Sequence, residues 1–237
     1  MKKRAFKLPM RKSEKILGWI WLPFHIFLLS LLLNLAIIYI FPAFNLEMTT
    51  AQLNLMYYTI SFAYVLIFMF HYLRESFYDL WENPWGSIKT IILGYFIYYI
   101  MIYAVSLLLS LLLDNLTNPN SSVIIHEAKL NKNVMIVVSV LLAPVVEETL
   151  FRGVVFGTIR QKHRILAYIV SIALFSIYHL WEYFLGGFSW TLFLYLLQYL
   201  PGGIILAWAY ESSGNLWTSV FLHMLINGVS MYATLNF

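Results

Sequence analysis

Long apolar runs are the feature of this sequence that most limits its fold. Residues 16–41 contain no Asp, Glu, Lys or Arg, and about 20 apolar residues are enough to cross a bilayer as a helix. Backbone groups inside lipid must be hydrogen-bonded within their own segment, which favours helices. We therefore predict an all-α, polytopic transmembrane bundle of about seven spans, at residues 16–41, 54–73, 90–113, 134–158, 165–185, 188–210 and 216–235.

The composition of the whole chain agrees with this class. Of its 237 residues, 61% are hydrophobic and 11% are charged, whereas a soluble domain carries about 25% charged residues. The sequence contains no cysteine, which excludes disulfides, thiol nucleophiles and cysteine-ligated metal sites. The length is that of a single membrane domain.

The positive charges predict the topology. Seven of the 15 Lys and Arg precede the first apolar run: Lys2, Lys3, Arg4, Lys7, Arg11, Lys12 and Lys15. Such a cluster favours a cytoplasmic N-terminus and a retained first helix, and it can also contact anionic lipid. The net charge of +4 is thus interpreted as a topology signal, and no nucleic-acid partner is expected.

The unusual polar residues divide the chain into two regions. Residues 1–133 are predicted to form a basic N-terminal anchor and three transmembrane helices without identifiable motifs. Residues 134–237 hold nearly all the ionisable groups that lie inside spans. An ionisable group at mid-membrane costs about 2.5–3.5 kcal/mol on insertion scales, so we predict that the second region, with four helices, is the functional core.

Two adjacent carboxylates mark the fourth span, in the stretch LLAPVVEETLFRGVVFG. Glu148 and Arg152 are four residues apart, so both can lie on one helix face and form an ion pair. Glu147 is rotated away from that pair and is predicted to point into a cavity. Pro144 lacks a backbone N–H and is expected to kink the helix just before the two carboxylates.

Two later spans carry further polar pairs at helical spacing. Phe175 and His179 share a face in FSIYH, and His223 and Asn227 share one in HMLIN. At 1.5 Å per residue, the depths of Glu147, His179, His223 and Asn227 overlap in one layer, somewhat to the cytoplasmic side of the midplane. The remaining candidates are interpreted as structural, solvated or interfacial: His25, His71, His126, His163, Glu182 and Glu211.

This set of groups is suited to hydrolysis of an amide bond. A carboxylate and an imidazole can deprotonate a water molecule, and a second imidazole with a carboxamide can stabilise a developing oxyanion. A zinc ion held by Glu147, His179 and His223 could activate the water instead. The helix signature H-E-x-x-H of common zinc proteases is not present in the sequence.

The three motifs together resemble those of a known family. EETLFR matches EExxxR, FSIYH matches FxxxH and HMLIN matches HxxxN of the CPBP intramembrane proteases, which include the type II CAAX prenyl endopeptidases and the bacterial Abi proteins. The resemblance covers roughly residues 134–230. It implies that Glu147 and His179 activate the water, that His223 and Asn227 hold the oxyanion, and that Glu148, Arg152 and Phe175 shape the site. It also favours a mechanism without a metal cofactor.

The sequence therefore predicts an intramembrane endopeptidase whose site opens towards the cytoplasm. Its expected partners are the lipid bilayer and a membrane-associated protein or peptide substrate, with or without a lipid modification. The short chain resembles the family's bacterial branch in the plasma membrane. A non-catalytic immunity or scaffold protein of the same fold is the alternative. A small proton-coupled transporter is less favoured, because the two halves of the chain show no matching broken helices.

Overall fold

The computed structural model describes residues 6–114 and 116–236. Every regular element in that part of the chain is helical, as predicted. We number the helices in chain order: α1 Lys12–Ile40, α2 Thr50–Phe68, α3 Phe70–Glu82, α4 Pro84–Ser110, α5 Pro119–Leu130, α6 Lys132–Arg160, α7 Arg164–Tyr178, α8 Trp181–Phe184, α9 Trp190–Ser213 and α10 Leu216–Asn236. The N-terminal charges Lys2, Lys3 and Arg4 lie outside the described residues.

Five of these helices are long and apolar enough to cross a membrane, namely α1, α2, α4, α6 and α9. The other two predicted spans are present as helices but do not meet both conditions. Helix α7 has 15 residues, about 22 Å at 1.5 Å per residue, against a hydrocarbon core of about 30 Å. Helix α10 is long enough but carries several polar residues. The chain is a polytopic membrane protein, and the count of seven spans stays a prediction.

Two segments predicted as connections are helical. Helix α3 begins after Met69, where the backbone leaves the helical region (φ −121°, ψ 18°), so the predicted span 54–73 ends at Phe68. The stretch between the predicted spans 90–113 and 134–158 contains α5, whose first turn is capped by the side chain of Asn118. A side-chain cap therefore marks the start of α5, whereas the start of α3 has no side-chain cap.

Helix α6 is the central helix of the bundle. In its most apolar stretch 61% of the residues are buried inside the protein, against 6% for α4, and every residue from 143 to 157 is buried. Pro144 lies between two π-helical segments, Val137–Leu142 and Glu148–Phe156. Such segments absorb a break in the regular hydrogen-bond ladder and are common at functional sites.

The two ends of the bundle differ. At the N-terminal end, the ring of Phe6 packs edge-on against Phe156 at 6.1 Å, and Lys15 donates to Gln161 at 3.4 Å, so this end is packed. At the other end the helices enclose a cavity of about 820 Å³. The solvent-exposed residues of its lining mark the mouth: Asn34, Thr50, Leu116, Val123, Glu182 and Ser230.

This arrangement corrects one part of the predicted topology. The cavity opens at the end of the bundle opposite to the N-terminal segment. A cytoplasmic N-terminus and a cytoplasmic opening therefore cannot both hold. The predicted depths of the polar groups were counted along each helix separately. They therefore carry no information about the end of the bundle at which the helices lie apart and leave an opening.

Close helix packing at Gly153 generates a stability prediction. A methyl group at this position would lie 2.6 Å from Cε1 of Tyr72, a fully buried ring. Overpacking of this kind costs about 1–3 kcal/mol, so we expect Gly153→Ala to lower the thermal unfolding temperature of the protein in detergent. Gly228→Ala is the matched control, since its added methyl would lie 3.7 Å from Val140. Equal unfolding temperatures for the two variants would contradict the prediction.

Candidate active site

A buried ion pair lies at the centre of the site. Arg152 Nη1 is 3.0 Å from Glu148 Oε1, and both side chains are fully buried. Arg152 Nη2 also donates to the carbonyl oxygens of Gly202 at 3.4 Å and Gly203 at 3.3 Å, in α9. The guanidinium carbon lies 4.3 Å from the ring centre of Phe175, in α7. The arginine thus connects α6, α7 and α9 at a single point.

Helix α10 completes the surroundings of Glu148. Ser219 Oγ donates to Glu148 Oε2 at 2.6 Å, and His223 Nδ1 lies 2.9 Å from Glu148 Oε1. Because an ionised carboxylate only accepts hydrogen bonds, His223 donates through Nδ1. The imidazole is therefore oriented with Nε2 pointing away from Glu148.

Glu147 has one bound oxygen and one free oxygen. Tyr58, on α2, donates its hydroxyl to Glu147 Oε1 at 2.7 Å. The second oxygen, Oε2, has no hydrogen-bond partner among the described residues although the side chain is only 4% exposed. It lies 4.0 Å from His179 Nε2 and 4.0 Å from His223 Nε2. The free oxygen and two imidazole nitrogens therefore converge at one point of the cavity.

His179 is oriented by the end of its own helix. Helix α7 ends at Tyr178, so the carbonyl of Phe175 has no intrahelical partner. His179 Nδ1 donates to that carbonyl at 2.8 Å, which leaves Nε2 towards Glu147. The ring of Tyr199 stacks on the imidazole at 4.4 Å. The four-residue spacing of Phe175 and His179 thus has two effects. It places both side chains on one face of the helix, and it brings the imidazole within hydrogen-bond distance of the Phe175 carbonyl.

Asn227 lies one turn beyond His223 and lines the same cavity. Its Nδ2 donates to the carbonyl of Ser139 at 2.9 Å, and within the described residues it makes no hydrogen bond to Glu147. The amide carries two N–H groups, so one remains for a ligand. The structure therefore brings Glu147, His179 and His223 together directly and places Asn227 at the edge of the group.

Sequence reasoning missed three hydroxyl groups. Ser219 was detectable, because it precedes His223 by four residues, as His223 precedes Asn227. Tyr58 and Tyr178, whose hydroxyls are 2.9 Å apart, carried no signal, since a tyrosine in an apolar helix usually indicates a membrane interface. Contact between α2 and α6 is needed to show that Tyr58 belongs to the site.

The polar residues left outside the site have structural surroundings. Buried His25 Nδ1 lies 2.8 Å from Ser61 Oγ. His71 Nδ1 lies 3.7 Å from Glu14, while His126 and His163 are exposed. Glu182 lies at the mouth of the cavity. Glu211 accepts hydrogen bonds from three donors at the N-terminal end of the bundle: Arg160, Arg164 and Tyr168.

The convergent donors do not have the spacing of a zinc site. Zn²⁺ binds nitrogen and oxygen at about 2.0–2.2 Å in tetrahedral geometry, so two of its ligand atoms lie about 3.3–3.5 Å apart. The corresponding distances from Glu147 to the two imidazoles are both 4.0 Å. In the described part of the chain, no group of three His, Asp or Glu is arranged to hold a metal ion.

Comparison with known proteins points to a class, the membrane-embedded proteases of the CAAX type. Residues 129–229 match the family model "Type II CAAX prenyl endopeptidase Rce1-like". This confirms the family resemblance for the second half of the chain and supports an intramembrane protease. The matched segment contains all three motifs. No solved structure matches the chain significantly.

Two bacterial relatives match part of the chain. The UPF0177 protein YxdF of Lactococcus lactis subsp. lactis (strain IL1403) is 36% identical over 87 residues, which cover 37% of this chain and 42% of that protein. YdiL of Bacillus subtilis (strain 168), named provisionally as a membrane peptidase, is 29% identical over 94 residues, 39% of this chain and 34% of that protein. Each match thus spans less than half of the relative's length.

The buried pair predicts a rescue by double substitution. Arg152→Met should destabilise the protein by about 3–5 kcal/mol, because it leaves Glu148 as an uncompensated buried charge. Adding Glu148→Gln removes that charge and should recover most of the lost stability. Unfolding of both variants in detergent measures this, and a double variant no more stable than Arg152→Met would contradict the role of the pair.

Proposed function

We propose that this protein is an intramembrane endopeptidase that uses Glu147 as the general base. The observation that carries the proposal is the free oxygen of Glu147, buried and facing two imidazole nitrogens at 4.0 Å. Polar groups separated by more than about 3.5 Å are commonly bridged by water. A water molecule at this point can donate one hydrogen to Glu147 Oε2 and the other to His179 Nε2, which directs its lone pair into the cavity.

Peptide hydrolysis follows from that placement. The water oxygen forms a bond to the carbonyl carbon of the substrate while Glu147 takes one proton. The C–N bond then breaks, and Glu147 returns this proton to the leaving amine. General acid–base transfer of this kind contributes about 10²–10⁴-fold in rate. The hydroxyl of Tyr58 holds Glu147 Oε1, so that only Oε2 is available to the water.

His223 and Asn227 are proposed to stabilise the oxyanion. His223 donates through Nδ1 to Glu148, and its Nε2 faces the cavity beside Glu147 Oε2; donation from Nε2 to the oxyanion requires a proton on each ring nitrogen. Asn227 supplies the amide hydrogen that Ser139 does not use. Two donors of this type are worth about 2.7–4 kcal/mol each in a known protease.

The proposed substrate is a membrane-associated peptide or protein, with or without a lipid modification, and the proposed location is the bacterial plasma membrane. The cavity of about 820 Å³ is within the range of ligand sites and is lined by both apolar and polar residues. Both relatives come from bacteria, which supports the location. A buried carboxylate oxygen without a hydrogen-bond partner lowers the stability of the folded protein. A scaffold that only binds a partner has no need of such an oxygen, so we favour proteolysis over a scaffold role.

A single substitution tests the proposal. Glu147→Gln keeps the size of the side chain and its bond from Tyr58 but removes the base, so we expect cleavage to fall by at least about 100-fold. Both proteins are purified, reconstituted and given a library of hydrophobic and lipid-modified peptides, with and without a chelator. Wild type that cuts no peptide, or a variant that cuts equally well, would sink the proposal. Loss of wild-type activity with the chelator would favour the zinc alternative.

Tyr58 is expected to position the base rather than to bind substrate. Tyr58→Phe removes a hydrogen bond to a carboxylate, worth about 1.5–3 kcal/mol, so kcat should fall about tenfold or more while KM changes less than about twofold. Tyr64→Phe, on the same helix, removes a hydroxyl that donates to the carbonyl of Leu17 at 3.1 Å and serves as the control. Equal losses in the two variants, or a change confined to KM, would contradict the positioning role.

A further inference from the structure

Helix α2 contributes a polar stripe to the wall of the cavity. Thr50, Asn54 and Tyr58 follow one another at intervals of four residues, and all three line the cavity. Residues at that spacing lie on one face of a helix. Thr50 is exposed at the mouth, and Tyr58 donates to Glu147 Oε1 at 2.7 Å. The stripe therefore runs from the mouth to the proposed base, with Asn54 between the two.

The side chain of Asn54 has no partner within the protein. Among the residues that the structure describes, no group hydrogen-bonds to its carboxamide, which is half-buried. The carboxamides of Asn118, Gln198 and Asn227 line the same cavity, and each is bonded within the protein. Helix α2 is long and apolar enough to cross a membrane, and an unsatisfied polar group is costly there. The carboxamide of Asn54 is therefore available to water or to a ligand in the cavity.

A second polar stripe lies on α10. His223, Asn227 and Thr234 recur at helical spacing and also line the cavity. Both α2 and α10 pack against the segment Val137–Leu142 of α6, so the two stripes belong to neighbouring parts of one wall. A ligand that reaches Glu147 from the mouth therefore passes along carboxamides from two helices.

A peptide group is the ligand that best fits a neutral carboxamide. The side chain of Asn54 offers two N–H donors and one carbonyl acceptor, and each peptide group of an extended chain has one N–H and one C=O to satisfy. This pairing does not depend on the side chains of the substrate. The four residues from Asn54 to Tyr58 span about 6 Å of helix, which is the length of about two residues in an extended chain.

We propose that Asn54 is a substrate-binding residue, which hydrogen-bonds to a backbone peptide group about two residues from the scissile bond held at Glu147. The proposal rests on the proposed proteolytic function and adds a binding contact to it. Asn54 lies outside residues 129–229, which match the family model. The first half of the chain thus supplies a contact to the substrate backbone as well as the tyrosine that holds the base.

The first test removes the carboxamide. Asn54→Leu is close to the original side chain in size but has no hydrogen-bonding group. Kd is measured in the Glu147→Gln background, in which the peptide stays whole, with the member of the hydrophobic and lipid-modified peptide library that binds most tightly. We expect Kd to rise about threefold to tenfold, the effect of one hydrogen bond. Asn133→Leu is the matched control, because Asn133 is exposed and outside the lining.

A second series of ligands identifies the group that Asn54 binds. Copies of the same peptide each carry one backbone ester in place of an amide, which removes an N–H and weakens the neighbouring carbonyl as an acceptor. We expect one ester position to weaken binding about threefold to tenfold with Asn54 in place and less than about twofold in Asn54→Leu. In Asn133→Leu the same ester should cost as much as in the parent.

These measurements separate the contact from the catalytic proposal. An unchanged Kd for Asn54→Leu, an equal rise in Asn133→Leu, or ester effects that do not depend on Asn54 would overturn the contact while leaving the proposed function intact. Peptides that bind through Asn54 but are not cut by the wild type would overturn the proteolytic function alone. Failure of every peptide to bind would overturn both.

Thermal unfolding excludes a structural role for the same residue. Because Asn54 makes no hydrogen bond among the described residues, Asn54→Leu should unfold in detergent at a temperature no lower than that of the wild type. A lower unfolding temperature would show that the carboxamide stabilises the fold and would overturn its assignment to the substrate.

Discussion

The contact between Glu148 and Arg152 is the interaction on which the site depends. Both groups are fully buried at 3.0 Å, and neither is tolerable in that place without the other. The arginine extends the contact to the carbonyls of α9 and the ring of Phe175, while the glutamate extends it to His223 and Ser219. One ion pair therefore sets the relative positions of α6, α7, α9 and α10.

Two neighbouring carboxylates acquire different roles from different surroundings. Glu148 has a guanidinium, a hydroxyl and an imidazole around it, so both of its oxygens are occupied. Glu147 has a single tyrosine hydroxyl on one oxygen and faces the cavity with the other. Rotation by about 100° per residue along a helix is enough to produce this contrast. The pattern of paired titratable groups in unlike environments is typical of acid–base sites.

The first half of the chain contributes to the site although it carries no recognised motif. Tyr58 on α2 reaches Glu147, and its hydroxyl is 2.9 Å from that of Tyr178, next to His179. Residues of α1, α2 and α4 also line the cavity. The family model begins only at residue 129, so the wall of the cavity is built partly outside the region that this model matches. The predicted division of the chain at residue 133 describes where the motifs lie. It does not describe the cavity, which is lined by residues from both sides of that division.

Periodicity and side-chain chemistry determined much of this protein from sequence alone. Apolar length predicts the helices, because backbone groups in lipid must bond within their segment, and spacing of four residues predicts the pairing of Glu148 with Arg152. Tertiary structure alone decided which helix ends stay apart, that Tyr58 holds Glu147, and that the cavity opens away from the N-terminus. These features depend on contacts between distant segments, and a one-dimensional pattern specifies the face of a helix without specifying the neighbour it meets.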